Sequence, residues 1–286
     1  MASTDPSGSE PSGSGEAALA DSKQAVQDFW DEASCGEEAL LDGLTREDYL
    51  EAAARRYDLE PYIREFAEFE TGAGKRVLEI GVGLGADHQL WAQSGAQLFG
   101  IDLTPRAIEH TQRRFDWLGL SSTLQCGDAE QLDFDDGSFE IVYSWGVLHH
   151  SPDTPQAIKE VHRVLAPGGV AKIMIYHKYS VIGLMLWLRY GLLRGRPFRK
   201  LADLYAQYLE SPGTKAYTVA EARELFADFR QVEIETVLTH GDLLTSQAGQ
   251  RHTGPLLDLA RKIWPRWLIR RLAPGAGLFM LITAHK

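Results

Sequence analysis

The stretch VLEIGVGLGADH, residues 77–88, decides the fold of this chain. Val77, Leu78 and Ile80 make a short apolar run that ends in glycines at 81, 83 and 85. That pattern predicts a buried strand, a tight turn, and a helix that starts on the turn. Gly81, Gly83 and Ala86 also satisfy the G-x-G-x-x-G/A spacing of a phosphate-cradling turn, so the same stretch poses a question about ligand.

Downstream of it, strand-like and helix-like segments alternate. AQLFGID (96–102), STLQCGD (122–128), FEIVYSWGVLHH (139–150) and AKIMIYH (171–177) read as strands, with amphipathic helical segments between them. The alternation predicts an α/β fold with a Rossmann-like, doubly wound, mostly parallel sheet. QVEIETVLTH (231–240) and GLFMLITAHK (277–286) should close it as an antiparallel pair. Upstream, three short helical segments, one opening at a T-x-x-D capping box (Thr45, Asp48), predict a helical N-terminal cap over residues 21–74. The Ser/Gly/Pro-rich opening, residues 1–20, is expected to be a disordered tail. The main domain then runs over 75–286, interrupted by insertions at 179–216 and 240–276. Ligands of such sheets bind beyond the carboxyl ends of the parallel strands, so both insertions should act as lids.

The formal charge of −11 disfavours a general nucleic-acid binder, although the later part of the chain turns basic. Cys35 and Cys126 form no disulfide framework, and the polar start lacks the apolar core of a signal peptide. A reducing cytoplasm is therefore expected.

The carboxylates choose between ligands. Glu79 lies two residues before Gly81, where a pyrophosphate would sit in an NAD site. At ~4 Å and an effective dielectric of ~20 it would oppose that charge, or favour a cation, by about 4 kcal/mol. Asp102 ends the second strand, where an acid accepts ribose hydroxyls or caps a helix, and Asp128 ends the third, within reach of an adenine amino group. A cation-friendly turn, a ribose acid and an adenine acid describe S-adenosylmethionine (SAM) better than NAD.

In order and spacing, VLEIGVGLGAD, GIDLTP, GDAEQLDFDDGSFEIVYSWGVLHHSPD and EVHRVLAPGGVAKIMIYHK resemble the class I SAM-dependent methyltransferases of the small-molecule, type 11 group, over roughly residues 75–178. The resemblance implies that Glu79, Gly81, Gly83 and Gly85 line the methionine and ribose part of SAM. It puts Asp102 on the ribose, Leu103 against the adenine, and Asp128 and Ala129 at the adenine edge. Trp145, Gly146 and Val147 would lie under the sulfonium, and Pro167–Gly169 would be a structural turn.

A sulfonium methyl is already activated, so alignment does most of the work and a base is needed only for a protonated acceptor. Candidates for that base are His149 and His150 after the fourth strand, and Tyr176 and His177 at the end of the fifth. His149, His150 and Asp153 can also be read as metal ligands, but the spacing is not distinctive and no metal is expected. The lids are apolar and aromatic, which favours a small uncharged or soft acceptor: a thiol or sulfide, or a phenol, quinol or isoprenoid-like molecule. Their basic-aromatic stretches, 181–200 and 261–271, offer a peripheral membrane contact. The alternatives are a non-enzymatic SAM-binding protein docked to a membrane or partner, and an NAD-dependent oxidoreductase.

Overall fold

A computed structural model describes residues 13–246 and 261–286. The chain opens with four helices, α1 (Gly13–Glu32), α2 (Glu37–Leu40), α3 (Arg46–Leu59) and α4 (Tyr62–Ala67). The alternating part follows as β1 (Arg76–Ile80), α5 (Ala86–Gln93), β2 (Gln97–Asp102), α6 (Pro105–Leu118), β3 (Thr123–Cys126), β4 (Phe139–Trp145), α7 (Thr154–Val164) and β5 (Leu165–Tyr176). Then come α8 (Val181–Tyr190), α9 (Leu201–Tyr208), α10 (Val219–Leu225), β6 (Gln231–Val237), α11 (Arg266–Leu272) and β7 (Phe279–His285).

Local chemistry sets many of these boundaries. Thr45 and Asp48 close the expected capping box at α3, and Thr218 and Glu221 close another at α10. Thr104 caps α6 ahead of Pro105, and Gly119 ends that helix in the left-handed conformation. Two boundaries differ from expectation. Residues 13–20, assigned to the tail, belong to α1, whose Ala-rich run at 17–20 has the highest intrinsic helix propensity; residues 1–12 lie outside the described part. β5 starts directly after α7 at Leu165 and carries the Pro167–Gly169 turn within it, with a register shift against β4.

The sheet has the order β3-β2-β1-β4-β5-β7-β6. β1 to β5 are mutually parallel, and β7 runs antiparallel to both β5 and β6. β6 therefore points the same way as β1–β5, and the segment after it emerges on the same edge as the glycine turn. Chain order reverses between β1 and β4, which makes that edge the topological switch point. One face of the sheet packs on α7 and α10 through Leu78, Phe139, Ile158 and Phe226, and the other on the N-terminal helices and α5 through Ile63, Phe69, Trp91 and Tyr143. A third cluster, with Met174, Leu186, Tyr205 and Phe279, seats α8 and α9 over the β5–β7 end.

The N-terminal helices are fastened by one buried carboxylate. Asp87, in the first turn of α5, accepts from Arg56 Nη1 and Nη2 (2.5 and 2.9 Å), from the Tyr57 hydroxyl (2.7 Å) and from the Tyr143 hydroxyl (2.8 Å). Burial pushes this carboxyl up, but the Arg56 charge and the three side-chain donors outweigh it and the net direction is down. Asp87→Ala strands the Arg56 guanidinium without its carboxylate and is expected to cost about 3–5 kcal/mol in urea unfolding. A loss under about 1 kcal/mol would mean that water solvates Arg56 in the folded state.

Candidate active site

Two adjoining cavities open at the switch point. The smaller, about 130 Å³, is lined by Asp102, Leu103, Asp128, Ala129 and His150, and roofed by Lys23, Val26 and Trp30 of α1. The larger, about 730 Å³, is mostly apolar and lies under α8, the 239–244 turn and Trp264. Cys35, Gly81, Gly83, Trp145 and Gly146 line both.

The glycine turn sits at the junction. Gly81 has φ 84°, and a Cβ there would stand 2.1 Å from Val147 Cγ2. Gly83 has φ 52°, and a Cβ there would meet no atom within 4 Å, so it borders open space. Gly85 departs from its expected role: it lines neither cavity, and its backbone packs on Thr111 where α5 begins on α6. Asp102 buttresses the turn, accepting from the Gly83 N–H (3.2 Å) through one oxygen and from the Thr104 N–H (3.0 Å) and hydroxyl (2.9 Å) through the other. Burial pushes its carboxyl up against these donors.

Glu79 borders the larger cavity and carries a proton whose place can be traced. The Ser122 hydroxyl donates to the Leu98 carbonyl (2.9 Å), so its oxygen accepts from His88 Nε2–H (2.8 Å). In a neutral His88 ring Nδ1 is then an acceptor, and Glu79 Oε2, 2.9 Å away, is its donor. Burial, with the nearby Asp87, pushes the Glu79 carboxyl well up, and burial pushes the His88 imidazole down to about 3, both consistent with a neutral pair.

At the far end, Lys23 bridges Asp128 (2.5 Å) and Glu130 (2.6 Å), so α1 is latched onto the expected adenine edge. The catalytic candidates separate. Tyr176 lines the larger cavity and donates to Glu210 (2.7 Å); His150 lines the smaller one, with its Nδ1 on Ser211 (2.8 Å) and its Nε2 3.3 Å from Glu210. His149 and His177 line neither. The loop after β4 turns His149 inward onto the Tyr176 ring, where burial holds the imidazole far below its ordinary value, and His177 Nδ1 faces the Gly277 carbonyl (3.2 Å). Asp153 caps α7 through the Gln156 N–H; it is Glu210 that brings a carboxylate to His149 and His150, with ligand-capable atoms within 4.8 Å of one another.

The polar groups that sequence reading missed are Arg56, Glu60, Glu210 and His240, all on the larger cavity. Arg56 on α3 and Glu60 at its C-terminal cap are four apart (3.8 Å), a spacing that reads as a surface ion pair. Burial nevertheless lifts the Glu60 carboxyl to about 7, against the pull of Arg56. Cys35 lines both cavities and is exposed.

Comparison with known proteins shows what the chain is similar to. Residues 78–173 match the family described as the methyltransferase domain. The chain is 41% identical over 99 residues to the phthiotriol/phenolphthiotriol dimycocerosates methyltransferase of Mycobacterium leprae, covering 34% of this chain and 36% of that protein. It is 38% identical over 104 residues to a probable chloroplastic tocopherol O-methyltransferase of rice (Oryza sativa subsp. japonica), covering 35% and 28%. The chain thus spans about a third of the length of these relatives. Its fold is similar to that of phosphoethanolamine N-methyltransferase 2 of Haemonchus contortus, with a TM-score of 0.59 at 18% identity over 91% of this chain and 60% of that one. The match to a methyltransferase domain thus covers residues 78–173, about a third of the chain, and the fold around it is similar to that of a solved methyltransferase.

The two glycines should separate folding from binding. Gly81→Ala drives a methyl into Val147 and is expected to lower the thermal midpoint by many degrees or abolish folding. Gly83→Ala, with room for its methyl, should cost only about 1–2 kcal/mol of backbone strain. Equal midpoints for the two variants would show that the Val147 contact does not confine the turn.

Proposed function

We propose that the protein transfers the methyl group of SAM to an apolar acceptor bound in the larger cavity. The observation that carries this is the junction: a carboxylate-lined site and a large apolar cavity meet at Cys35, Gly81, Gly83, Trp145 and Gly146. The residues fit SAM. Gly83 leaves room for a ligand against the backbone, Asp102 and Asp128 stand at the ribose and adenine ends, and Glu79 offers a carboxyl for a cationic amino acid. The methyltransferase match also sets the NAD reading aside.

When bound, SAM supplies a methyl group on a sulfonium sulfur. On transfer to the acceptor atom the carbon–sulfur bond would break toward sulfur and leave S-adenosylhomocysteine. The chain's part is alignment across the junction and exclusion of water by α1, α8 and the 239–244 turn. A proton released by the acceptor goes to Glu60, whose carboxyl is poised near neutrality on the cavity wall. The cavity volume favours a phenol, quinol or isoprenoid-like acceptor over a small thiol or sulfide, which would leave most of it to water. Two relatives named for lipid-like substrates support the same class.

The test is S-adenosylhomocysteine release over a panel of prenylated quinols, phenols, long-chain alcohols, small thiols and sulfide, alongside calorimetric binding of S-adenosylhomocysteine. Turnover on an apolar acceptor is expected; turnover on sulfide or small thiols alone would overturn the acceptor assignment, and failure to bind S-adenosylhomocysteine would overturn the whole reading. For a hydroxyl acceptor, the base must be ionised, so kcat should rise with pH through about 7. Glu60→Gln is expected to remove that limb and lower kcat by roughly 10²–10⁴-fold. An unchanged profile would exclude Glu60 as the base.

A further inference from the structure

The mouth of the larger cavity has a chemistry that methyl transfer does not use. Two stretches frame it. One holds Arg189, Arg194, Arg196, Arg199 and Lys200, and the other Arg261, Lys262, Arg270 and Arg271, with Arg266 turned in on the Leu243 and Leu244 carbonyls, in a chain of net charge −11. Neither stretch contains an Asp or Glu. Between these cations stand exposed apolar side chains: Leu193 at 72% exposure, Phe198 at 96%, Ile263 at 73% and Trp267 at 71%. Leu184 and Leu188 share one face of α8, and Trp267 and Arg271, as well as Leu268 and Leu272, are each one turn apart on α11.

The two stretches meet on a common anchor. Asp242 accepts from the Ile182 N–H at the start of α8 (3.2 Å), and its carbonyl accepts from Trp264 Nε1–H (2.9 Å) just before α11. Leu188, Arg189 and Leu193 from one stretch and Trp264 from the other also line the larger cavity. The basic-apolar surface is therefore the rim of the acceptor cavity.

We infer that this rim docks on an anionic lipid surface, with the leucines, Phe198 and Trp267 entering the interface and the arginines and lysines meeting the headgroups. Charge complementarity argues for anionic lipid: a concentrated positive rim on an otherwise acidic chain orients the molecule toward a negative surface with its cavity facing it. Interleaved apolar side chains argue for a bilayer over a soluble polyanion, which offers them nothing to enter. Among the described residues no helix is long and apolar enough to cross a membrane, so the contact is peripheral. Its use rests on the apolar-acceptor reading, since a cavity opening onto a membrane can receive an acceptor without passing it through water. Its existence does not rest on that reading.

The experiment is flotation of the full chain with phosphatidylcholine vesicles, with and without phosphatidylglycerol, at low and high salt. S-adenosylhomocysteine binding is measured on the same preparations. Flotation with the anionic vesicles, reversed by salt, is expected. Each cation removed should weaken partitioning roughly fivefold, so the pair Arg270→Glu and Arg271→Glu should lose about 25-fold or more. Phe198→Ala with Trp267→Ala should also weaken it, and these exposed positions lie outside the cavity lining, so ligand binding should stay unchanged. No flotation at low salt by protein that binds S-adenosylhomocysteine would overturn the inference, as would full flotation of the charge-reversed variant. Binding to an RNA homopolymer with indifference to vesicles would overturn it in favour of a soluble polyanion. Flotation without S-adenosylhomocysteine binding would uphold docking while removing the methyl-transfer reading.

Discussion

The pairing of half-buried Arg56 with buried Asp87 is the constraint on which the rest of the site depends. A guanidinium and a carboxylate taken out of water remain charged only if each is fully partnered. Here the carboxylate has four donors, from α3 and β4, and stands at the start of α5. Three elements far apart in sequence are thereby held at one distance. α3 cannot shift without stranding a charge, so Glu60, one turn beyond Arg56, is fixed on the wall of the larger cavity. The N-terminal helices are thus a wall of the site as well as a cover.

This explains what could be read from sequence and what could not. The parallel sheet, the glycine turn and the acids at the strand ends were legible because each is encoded locally: an apolar run, a turn residue, a charge at a strand terminus. Asp102 reaches back to the Gly83 amide from the neighbouring strand end, where strand order alone would put it. Arg56, Glu60 and Glu210 carry no such mark. Their function comes from which helix covers which edge, and an i,i+4 ion pair has the same spelling on a buried face as on a solvated one. The histidines show the opposite error. A histidine at a strand end is a fair candidate for a site, but whether its ring faces the crevice depends on the loop that follows, and the loops turn His149 and His177 inward.

The distribution of charge follows a single scheme. Around the two cavities the carboxylates are kept but partnered: Asp87 by Arg56, Asp128 and Glu130 by Lys23, Asp102 by backbone and hydroxyl donors, and Glu79 by His88. The larger cavity is mostly apolar but keeps Arg56, Glu60 and Glu210 on its wall, while further cations are concentrated at 189–200 and 261–271. A donor with a positive sulfur and an uncharged acceptor would each find the environment that stabilises it.

Glu79 is where that scheme becomes specific. A permanently ionised carboxylate under the turn would have to be solvated or paired in the ligand-free protein, and full burial allows little of either. Held neutral by His88, it costs little until a cation arrives. An ammonium or sulfonium at ~4 Å gains about 4 kcal/mol from the ionised form at an effective dielectric of ~20, and it is this attraction that offsets loss of the proton. A pyrophosphate would gain nothing from that change and would meet repulsion if it occurred. The same glycine spacing that serves a dinucleotide in other folds is therefore turned toward a cation by one side chain two residues upstream, and by the histidine that holds its proton.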